Sequence, residues 1–299
     1  MTTIKSPSRM FPEWSPDEEK LLIRKAATGD RQALEEIVRQ FQPVIYNIAL
    51  RMVYNQHDAE DITQEVLIKV ITHIGTFNFD SSVYTWVYRI TSNHFINMQK
   101  RPTEKLMRSF EEYGEGIDGT PDLPLTAVNK SQSEYDLILE EVKLQCFQGM
   151  LLCLNRRRRL AFILGEIFGL AASEGAEIMD LSPENFRQLL SRGRRQVYSF
   201  MRGRCGLVKK KNRCQCHLKA QTMINSEELV PDKLRFARED SVKLNSLHSR
   251  RSIRMTNYLN KKCSDLFQDQ SLYDSDVFVD YIRDLTQSKD FQVLFNLHD

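Results

Sequence analysis

Apolar positions recur at helical spacing along most of the chain, a pattern that predicts an all-α fold. Leu21, Leu22 and Ala26, then Ala33, Leu34, Ile37, Val38 and Phe41, trace two amphipathic stripes separated by Gly29 and Asp30. After Pro43, the run Val44, Ile45, Ile48, Ala49 and Met52 predicts a third helix. In the next helix Ala59, Ile62, Val66 and Val70 turn inward, leaving Asp58, Asp61, Gln64 and Glu65 outside. Residues 75–101 begin as a polar loop carrying Phe77, Phe79 and Tyr84, then continue as a helix with Trp86, Val87 and Ile90 inward and a basic end. A further stripe over residues 133–154, marked by Tyr135, Leu137, Ile138, Val142 and Phe147, opens a second helical block.

Residues 160–201 carry the most specific pattern. Phe162, Ile163, Ile167 and Leu170 form one apolar face, and Ala176 and Met179 continue it on a second short helix. Asp180 and Leu181 make a break. Ser182 followed by Pro183 is a strong helix start, because the serine oxygen accepts a free backbone N–H and proline lacks one the helix would leave unused. Beyond it Phe186, Leu189, Leu190, Gly193 and Val197 share a stripe, with Glu184, Arg187, Gln188, Ser191, Arg194 and Arg195 facing out. Two helices, a short turn and an exposed basic second helix fit a helix-turn-helix that places its second helix in the major groove. An amphipathic pair with a solvated basic face fits the same pattern. Two positions depart from the motif: Gly175 stands where a branched apolar residue would fill the core, and Asp180 where glycine would take a left-handed turn more cheaply.

At 299 residues the chain is long enough for about two domains, and its net charge of +2 decides nothing about partners. The distribution is more informative. Residues 156–159, Arg187, Arg192, Arg194, Arg195, Arg202, Arg204, residues 209–211 and Arg213 concentrate positive charge mid-chain, while acid collects at Asp58, Glu60, Asp61 and Glu65 and again over residues 111–122. Such segregation suggests one surface for phosphates and another for a different partner. Asp58, Asp61 and Glu65 share one helix face, as a solvated flank or as a docking face for a basic partner. Phe77, Phe79 and Tyr84 suit either a local hydrophobic staple or a platform for unpaired bases. No apolar run approaches a membrane span and the polar start has no signal-peptide core, so a cytoplasmic protein is expected. No glycine-rich phosphate loop, zinc-protease pattern or catalytic triad is present, which argues against an enzyme and against a small-molecule substrate.

Residues 102–129, with their prolines, glycines and acids, read as a linker. The basic run at 156–159 reads as a solvated or phosphate-contacting patch. Six cysteines without a secretory signal predict reduced thiols or metal ligands. Cys205, Cys214, Cys216 and His217 lie within thirteen positions and admit a zinc site, a redox-sensitive thiol group or plain packing, although their spacing is not that of a standard finger. In the extension, residues 230–236 read as a helix start and residues 242–263 as a basic helix. Val277, Tyr281, Ile282, Leu285, Phe291, Leu294 and Phe295 suggest closing amphipathic helices.

The segments DAEDITQEVLIKV, SSVYTWVYRITSN and LSPENFRQLLSRGRRQV, in this order and separation, resemble regions 2 and 4 of bacterial sigma factors, specifically the extracytoplasmic-function group of the sigma-70 family. The resemblance covers residues 18–202. It implies a disordered lead-in over 1–15, region 2 over 16–101, a linker over 102–132, region 4 over 133–203 and a cysteine-containing extension over 204–299. Core RNA polymerase would then meet Asp58, Asp61, Gln64 and Glu65. The melted −10 element would meet Phe77, Phe79, Tyr84, Trp86, Asn93, Asn97, Lys100 and Arg101. Ser182, Pro183, Glu184, Arg187, Gln188, Ser191, Arg192, Arg194 and Arg195 would meet the −35 duplex. The acidic linker would thread the RNA exit path, and a separate anti-sigma protein is a further possible partner. Leu189 replaces a common arginine and Asn97 a frequent aspartate, so promoter preference does not transfer. An autonomous helix-turn-helix regulator, and a thiol- or metal-based sensor built on the cysteine cluster, are the competing readings.

Overall fold

A computed structural model of the chain describes residues 14–106, 109–125, 131–237 and 255–268. The described residues are helical, as the periodicity predicts, and the chain divides into two compact units.

Unit 1 holds residues 1–99 with 170–186 and 272–299. Four helices build its described core: α1 (Pro16–Ala27), α2 (Arg31–Val53), α3 (Gln56–His73) and α4 (Val83–Asn97). Each begins on a side chain that accepts a free backbone N–H: Ser15 in a reciprocal capping box with Glu18, then Asp30, Asn55 and Ser82. Pro43 does not start a new helix. It lies inside α2, which runs unbroken for 23 residues. Proline inside a helix costs about 3 kcal/mol, but nearly every side chain of α2 from Phe41 to Val53 is buried, and Asn47 Nδ2 donates to the Pro43 carbonyl at 2.7 Å. Burial outweighs the lost bond. Leu21 is 56% exposed, so the inner face of α1 is Ile23 and Ala26. The short α9 (Ala172–Ile178) packs on α4, where Arg89 pairs with the Glu177 carboxylate at 3.5 Å and donates to its carbonyl at 3.2 Å.

Unit 2 holds residues 100–169 and 187–271. Its elements are α5 (Pro102–Leu106), α6 (Phe110–Gly119), α7 (Gln132–Leu152), α8 (Arg156–Phe162), a π turn (Ile163–Ile167), most of α10 (Pro183–Arg204), α11 (Cys216–Asn225) and α12 (Met255–Gln268). The segment read as a linker is therefore largely helical. Glu104 is buried and bonded by Arg156 Nη2 at 2.6 Å and Arg159 Nη1 at 3.0 Å. Gly114 lies where a Cβ would stand 2.6 Å from the Arg204 guanidinium, so the glycine lets that side chain lie across α6. Residues 121–125 then run alongside α11, Leu123 and Leu125 donating to the carbonyls of Leu218 and His217.

The basic run at 156–159 is corrected in the same way. Arg156 and Arg159 are structural, and Arg159 also donates to the carbonyls of Leu151, Leu152 and Leu154 that end α7. Residues 230–236 make turns rather than a helix start, because the N–H groups of Arg235, Phe236 and Ala237 all donate to the buried Glu141 carboxylate. Of the basic helix expected over 242–263, the part within α12 is described. Its Phe267 is fully buried between Phe147 and Phe162, at ring separations of 4.9 and 5.0 Å. The closing helices expected from Val277 onward lie outside the described residues, as does the lead-in before Trp14.

Candidate nucleic-acid interface

The turn before α10 forms as its sequence predicts. Asp180 adopts the left-handed conformation with φ of 52°, the Leu181 N–H returns to the Ala176 carbonyl at 2.9 Å, and Ser182 Oγ accepts from Asn185 N–H at 3.2 Å. Gly175 has a steric reason that the sequence hides. A Cβ there would lie 2.2 Å from the Phe186 ring, so the missing side chain is the socket into which that phenylalanine seats. Along the outer face Ser182, Pro183, Glu184, Arg187, Gln188, Ser191, Arg192 and Arg195 are exposed. This is a polar, cationic strip in reach of base edges and phosphates.

Arg194 departs from the expected outward set. It is ion-paired with Glu166, which is fully buried and also accepts from Tyr198 Oη at 2.5 Å. Burial, then the Glu166 charge, push the Tyr198 phenol well above its ordinary value, so it stays a donor. A lone acid inside the apolar run FILGEIFGL was the available signal for this pair. Below it an open pocket of about 520 Å³ is lined by Ser191, Arg194, Arg195 and Arg202 from α10 and by Asn260 and Lys261 from α12. The extension thus adds a cation beside the basic face.

In unit 1, Asp61 and Glu65 are exposed, while Asp58 and Gln64 are half-buried. The four remain on an accessible flank of α3. Glu65 also faces His94 Nε2 at 3.4 Å, and Lys69 Nζ lies 2.7 Å from Nδ1 of that ring. A groove of about 690 Å³ runs between α3 and α4, lined by Glu65, Lys69, Trp86, Asn93, Asn97 and Met98 among others. It brings together three of the residues expected at the −10 element and one expected at the polymerase contact.

The other aromatics are placed differently. Phe77 is only 6% exposed and packs on Phe79 and Trp86 at 4.8 and 5.5 Å, which makes it a support beneath Trp86. Phe79 is half-buried with φ of 64°, a conformation uncommon for a bulky residue. Tyr84 turns to the opposite side, against Phe41 at 5.0 Å and Trp14 at 5.9 Å. Lys100 is exposed and Arg101 half-buried, both in unit 2.

The cysteine cluster is also rearranged. Cys205 and Cys214 are bridged through the backbone, the Gly206 N–H donating to the Cys214 carbonyl at 2.9 Å. His217 is exposed and stands apart from the sulfurs, whereas Cys146 of α7 lines the same small cavity as Cys205, Cys214 and Cys216. No spacing motif links Cys146 to the others, so the sequence gave no sign of it. All six thiols are free, and among the described residues no group of three or more histidine, cysteine or acidic side chains stands in an arrangement that holds a metal ion.

The sigma-70 region 2 family model matches residues 37–103, and the sigma-70 region 4 model matches residues 144–197. The chain is 30% identical over 178 residues to the extracytoplasmic-function RNA polymerase sigma factor SigE of Mycolicibacterium smegmatis, covering 58% of this chain and 65% of that one. It belongs to the extracytoplasmic-function group of the sigma-70 family. SigW of Bacillus subtilis, another sigma factor of this group, is 27% identical over 61% of this chain and 96% of its own. Thus the chain spans just under two thirds of SigE and nearly all of SigW. Among solved structures, CnrH in complex with the cytosolic domain of CnrY aligns with 62% of this chain and 97% of its own, at 17% identity and a TM-score of 0.44. The region 2 match contains the α3 flank and the groove, and the region 4 match contains α10 as far as Val197, so every exposed residue of the strip lies in a sigma-factor region.

Proposed function

We propose that this sigma factor binds core RNA polymerase, directs it to −35 and −10 promoter elements and helps open the duplex, in the cytoplasm and without making or breaking covalent bonds itself. The observation that carries the reading is the exposed strip of α10 from Ser182 to Arg195, set on a capped helix within a region 4 match that follows a region 2 match. Arg187, Gln188, Ser191 and Arg192 are the base-facing candidates, with Arg195 toward phosphate. The exposed carboxylates of Asp61 and Glu65, flanked by Asp58 and Gln64, present an acidic surface suited to a basic partner helix. Trp86, with Asn93 and Asn97 along the same groove, offers a stacking surface and amide groups to an unpaired base, and Phe77 holds the indole from beneath. Promoter binding of this kind needs no cofactor. An anti-sigma protein is a partner of the kind named for the solved relative in complex with CnrY.

The test is reconstitution with purified core polymerase, followed by run-off transcription on genomic fragments. Promoter-specific transcripts that require this chain are the expected result. Tight binding of duplex operators by the chain alone, with no effect on polymerase, would instead mark an autonomous regulator.

A further inference from the structure

Four cysteines far apart in sequence converge in unit 2. Cys146 comes from α7, Cys205 from the end of α10, and Cys214 and Cys216 from the segment entering α11. They share a cavity of about 20 Å³ with Phe147, Met150 and Phe200. That volume suits one guest the size of a water molecule, yet the lining supplies sulfur rather than the oxygen and nitrogen partners that water needs.

The surrounding groups favour a negatively charged sulfur cluster. The backbone N–H groups of Leu207 and Val208 approach the Cys205 sulfur and stabilise its thiolate. Lys143 and Arg204 line the cavity, Lys219 lies near Cys214, and Lys262 lies near Cys205. The loop over residues 206–213 is held in place independently of any guest. Asn212 Nδ2 donates to the carbonyls of Arg202 and Cys205, Gln215 Nε2 donates to those of Lys210 and Asn212, and Gly206 leaves room for the Gln215 side chain.

We propose that Cys146, Cys205, Cys214 and Cys216 form a structural tetrathiolate site for a zinc ion, which ties the extension to α7 and α10. The sulfurs close on the ion by side-chain rotation about a backbone already in place. Four thiols bind one Zn²⁺ at about 2.3 Å per bond and release four protons to solvent. The site then carries a net charge of −2, which Lys143, Arg204, Lys219 and Lys262 offset. Without an ion, burial pushes Cys214 up to about 11 and Cys216 to about 12, and Cys146 and Cys205 are raised as well. Such thiols are poor nucleophiles toward an oxidant, which weighs against a redox sensor. A divalent cation supplies the charge that deprotonates them. His217 has no place in this set, in contrast to the ligand group expected from sequence spacing alone.

Zinc occupancy does not depend on promoter recognition, so the test stands whatever polymerase does with this chain. The full-length protein is purified without chelator and its zinc measured by inductively coupled plasma mass spectrometry. One ion per chain is expected in the wild type, in Cys153→Ser and in His217→Ala, with most of it lost in Cys146→Ser and Cys214→Ser. Because the cysteine variants are also at risk of misfolding, cobalt(II) is titrated into metal-free wild type, where the thiolate charge-transfer intensity counts sulfurs without any substitution. Four thiolates on a tetrahedral cobalt are expected. Absence of zinc together with absence of cobalt-thiolate absorption overturns the site, as does full zinc in Cys146→Ser alongside its loss in His217→Ala.

Discussion

Gln188 and Arg187 stand exposed on α10, where a side chain meets base edges, and each good bidentate base contact is worth about 1–3 kcal/mol. Gln188→Ala and Arg187→Ala are therefore expected to weaken binding of a −35 duplex by the assembled holoenzyme by that amount at fixed salt, with an unchanged melting temperature. Fluorescence anisotropy with a labelled duplex measures the first and calorimetry the second. Arg194→Ala should behave in the opposite sense, since its guanidinium answers the buried Glu166 carboxylate. A stability loss of about 1–2 kcal/mol is expected, discounted from buried-pair values because Arg194 keeps contact with water. Gly175→Val drives a side chain into the Phe186 ring and should cost about 1–3 kcal/mol in urea unfolding, with partial relief in combination with Phe186→Leu. These residues also mark how far the sequence was readable. Ser182, Pro183 and Asp180 act through neighbours a few positions away, so their roles followed from local rules. Arg194 acts through Glu166, 28 positions earlier, and only the folded chain brings the two together.

Among the helices, α5 departs furthest from its composition. Proline, threonine and acid at its start read as a spacer, yet Glu104 anchors two arginines from α8. Burial alone would raise the Glu104 carboxyl. The hydrogen bond from Arg156 and the charges of Arg159 and Arg156 more than reverse this and leave it below the ordinary value. The stabilisation it brings is complete above the unfolded carboxylate pKa of about 4.3 and is lost as pH falls through the lower folded value. Glu104→Gln should lower stability at neutral pH by about 3–5 kcal/mol, because it leaves Arg159 buried without its counter-charge, and should remove this share of the acid sensitivity. Urea titrations at neutral and acidic pH measure both. Local rules failed at α5 because its partner arginines lie some fifty positions on. They failed at Pro43 for a different reason: a helix sheathed on all sides tolerates a missing bond that an isolated helix would not. In α4, Trp86→Ala should abolish permanganate reactivity of melted −10 thymines in the holoenzyme while leaving −35 duplex binding intact. Phe77→Ala should lower stability instead, since that ring is already covered.

Across the whole chain, the order of its regions was legible from three short segments, because charged faces and caps must sit at fixed offsets for a helix to fold and still present a surface. The α3 flank extends this to partner choice: Asp61→Arg should weaken co-purification with core polymerase without changing the melting temperature, as Asp61 is exposed. What composition hid was the depth to which the C-terminal extension enters its neighbours. Phe267 fills a space between two aromatic rings that belong to region 4, and Cys263 beside it is equally covered. A chain cut after Arg204 would consequently not be a pared-down, two-domain version of the same molecule. It would carry a greasy vacancy where the last described helix had been, and would be prone to clump with its own copies before it ever met a promoter.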